Sequence, residues 1–150
     1  MDINNDEALI KLAFHVSMDS TCLKRKVGAV LVKDGEVCVA ATNGAPKRTR
    51  TCKDLGCLRN LYKIKSGENY EYCRAVHAEQ NLIIQCAIKG LKASGSVIYC
   101  THSPCIICAK MLVNLKIKRL IYAQEYTEIQ YKELFKEAGI EYIQIGELSD

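Results

Sequence analysis

The sequence predicts an α/β fold, with five short strands in one sheet, helices on both of its faces and the later strands parallel. Three observations predict it. A hairpin rich in β-branched residues comes early, strands and helices alternate after residue 74, and 150 residues with 49% hydrophobic content suffice for one sizeable core. The expected organisation is a single domain over residues 1–150, with an insertion at about 45–73.

Leu9, Leu12, Ala13 and Val16 recur at helical spacing, so Asp6 to about Ser20 reads as an amphipathic helix lying on one sheet face. Val27–Lys33 and Val37–Thr42 then flank Asp34–Gly35, a strong two-residue turn signal, and read as paired strands. Residues 45–72 are polar and irregular, with four basic residues near the start, and a loop of that length needs a staple or a function. The pattern then alternates: helix Ala75–Lys89 stopping at Gly90, strand Val97–Thr101, helix Cys105–Leu115, and strand Arg119–Ala123. Helix Thr127–Ala138, stopping at Gly139, and strand Glu141–Ile145 complete the series.

A quarter of the residues are charged, as in an ordinary globular protein, and no segment reads as a membrane span. The stretch MDINNDEALIKLAFHV is acidic before its apolar periodicity begins, which argues against a secretory signal. Nine cysteines without an export signal favour metal binding over a disulfide framework, and a cytoplasmic location is expected. Between Cys22 and Arg74 twelve Lys and Arg face five Asp and Glu, a local +7 that leaves −3 elsewhere. Such a surface suits phosphate or nucleic acid, or is simply a solvated basic loop.

The chemistry lies in His77-Ala78-Glu79 and Pro104-Cys105 with Cys108. His77, Cys105 and Cys108 are three ligands for zinc, and three protein ligands leave the fourth position open for water, as a catalytic site requires. Two thiolates cancel the ion's charge and weaken its acidifying effect on water, so a base is needed. Glu79 is the candidate to take a proton and return it to a substrate nitrogen, which describes hydrolytic deamination. Cys105 and Cys108, three apart at a helix start, share one face of its first turn, where thiolates are favoured.

Cys22, Cys52, Cys57 and Cys73 lie outside this motif and make a complete four-thiolate set for a second, structural zinc, which would staple the insertion. The alternative is four reduced, individually buried cysteines. Cys38, Cys86 and Cys100 read as small core residues. His15 reads as a packed or surface histidine, and His102, at a strand end, could face a substrate.

The segments VHAEQN and SPCIICAK carry the HxE and PCxxC signature of zinc nucleobase deaminases and resemble the cytidine and deoxycytidylate deaminase superfamily. STCLKRKVGAVLV, TNGAPKRTRTC, GCLR, CRAVHAEQN, YCTHSPCIICAKML and IKRLIYAQEY resemble successive blocks of the deoxycytidylate deaminase family, over roughly Leu12 to Ile145. The resemblance implies a three-layer αβα sandwich with a mixed five-stranded sheet, a homo-oligomer (dimer or hexamer), and a small-molecule nucleotide substrate converted from dCMP to dUMP. It further implies that the Ala78 amide holds the pyrimidine, Asn43 contacts the sugar and Tyr126 lies over the sugar phosphate. Some members of the resembled family carry a second zinc. Here ATNGAPKR replaces the family's usual GYNG, lacking its aromatic residue and a later glycine.

Lys47, Arg48 and Arg74 are the candidates to meet a substrate phosphate, because charge-assisted bonds to Arg or Lys favour a nucleotide over a nucleoside. Ile106, Ile107, Met111 and Leu112 offer a partner face or core packing. The alternatives to dCMP are another cytosine nucleotide, a nucleoside or a base within nucleic acid. A zinc-stabilised nucleic-acid-binding protein is the reading from another class, disfavoured because a structural site has no use for Glu79.

Overall fold

The computed structural model describes residues 3–146. The ends of the expected domain, residues 1–2 and 147–150, lie outside the described residues. Among these residues the sheet has five strands in the order β2-β1-β3-β4-β5: β1 Gly28–Lys33, β2 Glu36–Thr42, β3 Val97–His102, β4 Arg119–Gln124 and β5 Glu141–Gln144. β1 runs antiparallel to β2 and β3, whereas β3, β4 and β5 are parallel, so the sheet is mixed as expected.

The hairpin forms where the sequence places it. Asp34 and Gly35 have φ of 52° and 78°, both left-handed, as a turn matched to the strand twist requires. The register slips between Leu31 and Val32, leaving Cys38 as the extra residue of β2.

Period-2 alternation sends side chains to two cores. Val30, Val32, Tyr99, Ile121 and Ala123 pack with Ile10 and Ala13 of α1 (Ile3–Ser17). Leu31, Ile98, Leu120 and Tyr122 pack on the other face with Leu82 of α4 (Ala78–Lys89), Leu112 of α5 (Ile106–Leu115) and Phe135 of α6 (Tyr131–Ala138). These are the three layers. α1 approaches β1 so closely that a Cβ at Gly28 would lie 2.0 Å from the Ala13 carbonyl oxygen.

Long-range contacts move several boundaries. α1 starts before Asp6 and ends at Ser17, because Asp6 is drawn inward to accept the Tyr99 hydroxyl at 2.7 Å while Ser20 turns to bond Asn43. α4 begins at Ala78 and not Ala75, since Val76 exchanges backbone hydrogen bonds with Gly44 and the chain stays extended through His77. α6 begins at Tyr131, four residues late, because Thr127 and Glu128 line a cavity instead of starting the helix. Residues 45–72 are also less irregular than expected, folding into single turns α2 (Cys52–Leu55) and α3 (Leu58–Leu61) and a 3-10 turn at Tyr70–Tyr72. Thr51 caps α2 through a reciprocal bond with Asp54. Buried Arg59 donates to the carbonyls of Asn69 and Lys65, closing the second half of the insertion on itself.

Candidate active site

Two helix starts meet at the site. His77 is the N-cap of α4 and Cys105 the N-cap of α5, so both helices direct the positive ends of their dipoles to one point. His77 donates its backbone N–H to Gln80 Oε1 at 2.9 Å, which fixes the chain where the imidazole leaves it. The ring presents Nδ1 to Cys108 Sγ at 3.2 Å and to Cys105 Sγ at 3.5 Å, and the Cys108 amide donates to Cys105 Sγ. The ligand atoms of His77, Cys105 and Cys108 all lie within 4.8 Å of one another. Among the described residues no other group of three or more His, Cys, Asp or Glu meets that test.

The hydrogen bonds make Cys105 the first sulfur to ionise: bonding to Cys108, with further help from His77, lowers its thiol well below the usual range. Cys108 is shifted upward by the same bond and by burial. Glu79, one residue into α4, is 5% exposed, and burial pushes its carboxyl up to about 7. A carboxyl poised near neutrality both takes and releases a proton easily at working pH.

These groups open into a cavity of about 550 Å³. Its floor is His77, Ala78, Glu79 and Cys105, and its walls come from the Cys22–Arg25 segment, Asn43, the insertion and the β4–α6 loop. Asn43 is buried; its Oδ1 accepts from the Ser20 hydroxyl and the Val27 amide, and its Nδ2 donates to the Arg25 carbonyl at 2.8 Å, leaving one N–H unassigned. Tyr126 donates its amide to Ser103 Oγ at 2.8 Å, and its ring lies under the Arg25 guanidinium, 4.1 Å to the centroid, and beside His102, 5.4 Å between centroids.

Of the three basic residues expected to meet a phosphate, Arg74 lines the cavity and its buried Nε has no hydrogen-bond partner. Lys47 and Arg48 are exposed and do not line it. His102 lines it, whereas His15 is exposed on α1. Arg25, Tyr70 and Glu128 are wall residues that sequence reasoning missed; Arg25 sits in an unremarkable run of lysines, and only the folded loops bring it to Tyr126.

Among the described residues Cys22, Cys52, Cys57 and Cys73 do not form a group of three whose ligand atoms all lie within 4.8 Å of one another, but they share one cavity. All four line the cavity, and the Cys52 thiol is raised first by burial and then by Cys22, Cys73 and Cys57.

Comparison with known proteins agrees with this geometry. Residues 3–124 match the cytidine and deoxycytidylate deaminase zinc-binding region. The chain belongs to that family of zinc-binding deaminases. It is 35% identical over 137 residues to ComE operon protein 2 of Bacillus subtilis, covering 89% of this chain and 68% of that protein. It is 32% identical to the deoxycytidylate deaminase of Saccharomyces cerevisiae, covering 90% of this chain but only 43% of the yeast protein's length. The crystal structure of dCMP deaminase from cyanophage S-TIM5, solved with dCMP and dUMP, superposes with a TM-score of 0.80 at 29% identity, covering 97% of this chain and 99% of that one. The mixed sheet and helix layers are therefore those of the dCMP deaminase fold.

The donor set fits the family's metal. Bond lengths of about 2.3 Å to sulfur and 2.0–2.1 Å to nitrogen place N and S roughly 3.6 Å apart in a tetrahedron. The observed separations of 3.2 and 3.5 Å are close to that edge. No helix among the described residues is long and apolar enough to cross a membrane.

Proposed function

We propose that this chain hydrolyses dCMP to dUMP and ammonia. The observation that carries the reading is a buried carboxyl, Glu79, one residue into a helix whose N-cap supplies one of three clustered zinc ligands. Bound by His77, Cys105 and Cys108, zinc would supply a Lewis-acidic position with one place open to water. Glu79 takes one proton from the attacking water and gives it to the ring nitrogen as the hydroxyl adds at C4, then carries the hydroxyl's proton to the amino group, so that the C4–N bond breaks, C4 keeps the oxygen and ammonia leaves. The Ala78 N–H holds the ring, a role supported by its position as the first residue of α4, where it has no acceptor within the helix.

Asn43 offers its remaining N–H to the sugar, and Tyr126 closes over the sugar phosphate, held by Arg25 and His102. Arg74 and Arg25 are the cavity's cations for the phosphate, and the unpartnered Arg74 Nε supports that role. Lys47 and Arg48 reach a phosphate only in a neighbouring subunit of a homo-oligomer. Ile107 and Met111, exposed on α5, support such an assembly, whereas Leu112 is fully buried in the core. The four cysteines around Cys52 hold a second, structural zinc, an assignment supported by their shared place on the cavity lining and by the upward push of Cys22, Cys73 and Cys57 on the Cys52 thiol. A cytoplasmic location accords with nine free thiols.

The test is ammonia release by the zinc-loaded protein from cytidine and deoxycytidine mono-, di- and triphosphates, the nucleosides and single-stranded DNA. We expect dCMP to give the highest kcat/KM. A stronger response to a nucleoside or to DNA would replace this reading.

A further inference from the structure

The insertion and the β4–α6 loop, 58 residues apart in sequence, are joined by one side-chain hydrogen bond: the Tyr70 hydroxyl donates to Glu128 Oε1 at 2.5 Å. Both residues line the cavity. Tyr70 is held from two other sides. The Arg59 guanidinium lies 5.5 Å from its ring centroid and is itself bonded to the Asn69 and Lys65 carbonyls. The edge-on ring of His77, the metal-binding histidine, lies 6.1 Å away at 75°.

The loop that receives this bond carries Tyr126. Its first half is pinned without help from the insertion: Glu125 accepts from the Tyr131 hydroxyl at 2.9 Å and pairs with Lys132 at 2.6 Å, and the Tyr126 amide reaches Ser103. Its second half, Thr127 to Gln130, precedes α6 and is the part that Tyr70 holds. Across the bond, the chain at Gly67 comes close enough that an added Cβ would lie 3.6 Å from Glu128 Oε1. The two walls therefore touch where the hydroxyl meets the carboxylate.

We propose that Tyr70 is a positioning residue for the substrate, clasping Glu128 so that the insertion and the Tyr126 loop form one preformed wall around the nucleotide. Without the clasp each binding event must order both segments, a cost that appears in binding and not in the chemical step. Burial and Glu128 hold the Tyr70 phenol well above its usual value, so it remains a donor throughout the working range.

This inference rests on the cytosine-nucleotide reading for its substrate, but not for all of its tests. Tyr70→Phe keeps the ring against Arg59 and His77 and removes only the hydroxyl. We expect its KM for the substrate that the wild type turns over best to rise about tenfold, the scale of one hydrogen bond to a charged group, with kcat within about twofold. Glu128→Ala should do the same, and the double variant should be no worse than either single one. Glu128→Gln, whose amide oxygen still accepts, should retain a KM near the wild type's.

Hydrogen–deuterium exchange without substrate supplies a readout independent of the reaction. In zinc-loaded Tyr70→Phe, residues 66–72 and 126–130 should exchange faster together. An unchanged KM in Tyr70→Phe, additive single effects, or a Glu128→Gln as impaired as Glu128→Ala would overturn the clasp. If Tyr70→Phe fails to fold, Glu128→Ala and its exchange pattern decide. A wild type inactive on dCMP would contradict the substrate while leaving the exchange test intact.

Discussion

At the scale of single residues the site works by making neighbours titrate apart. Cys105 is lowered by its hydrogen bond from Cys108, while Cys108 and Glu79 are raised, so the metal-free cluster keeps a proton that zinc must displace. Because zinc must displace the proton that the raised Cys108 thiol keeps, zinc affinity should fall steadily as pH falls through the neutral range, measurable by competition with a chromophoric chelator; a flat profile would show that the cluster carries no such proton. His102 has the opposite bias. Burial, aided by Arg25, lowers it from 6.5 to about 4, so the unfolded chain takes up the proton first on acidification. Its contribution is complete above about pH 6.5 and is lost toward about pH 4. Urea midpoints at pH 7 and 4.5 should drop less in His102→Gln than in wild type, with zinc loss common to both. Gly28 is a steric requirement: Gly28→Ala drives a methyl group to 2.0 Å from the Ala13 oxygen and should cost about 3 kcal/mol, the upper end for overpacking. A chemical-denaturation loss below about 1 kcal/mol would mean that α1 can move away from β1.

At the scale of elements, what was legible in the sequence was local. Asp34–Gly35 specifies its turn through its own dihedrals, and the two strand faces follow from alternation, so the hairpin and both cores were readable. Ligands three apart on a helix start were readable for the same reason. The starts of α4 and α6 were not, because Val76 is kept extended by Gly44, 32 positions earlier, and Glu128 is held by Tyr70. Arg59 gave no signal either; a buried arginine bonding carbonyls six and ten residues away is visible only once the insertion has closed. The insertion carries its own prediction. If Cys22, Cys52, Cys57 and Cys73 hold zinc, the purified protein contains two zinc per chain, and Cys57→Ala lowers the melting temperature before it lowers kcat. A fully active wild type with one zinc per chain would leave Arg59 and Tyr70 as the staples of the loop.

At the scale of the whole molecule, one sheet has α1 on one face and the zinc-bearing helices on the other, and the cavity opens where their N-termini converge. Cations from several segments ring that opening: Lys24, Arg25, Arg59 and Arg74 line it, so the basic surplus read between Cys22 and Arg74 is partly spatial and not merely sequential. Neutralising Arg74 should raise KM for dCMP severalfold more than for deoxycytidine, because only the nucleotide has a phosphate for it to meet. An equal rise for both would assign Arg74 to folding. Arg48, exposed and away from this subunit's cavity, should show the same selectivity only in an oligomer; sedimentation of the wild type alongside the kinetics of Arg48→Gln separates the two cases.

The central claim is that Glu79 moves the protons of a deamination beside a three-ligand zinc site, and Glu79→Gln tests it most directly. Ammonia release from dCMP and zinc content should be measured on the same preparations of variant and wild type. Loss of more than about a hundredfold in kcat at unchanged zinc content is the expected result, since the amide can neither accept nor return a proton. A zinc-replete Glu79→Gln that turns over dCMP at nearly the wild-type rate would contradict it.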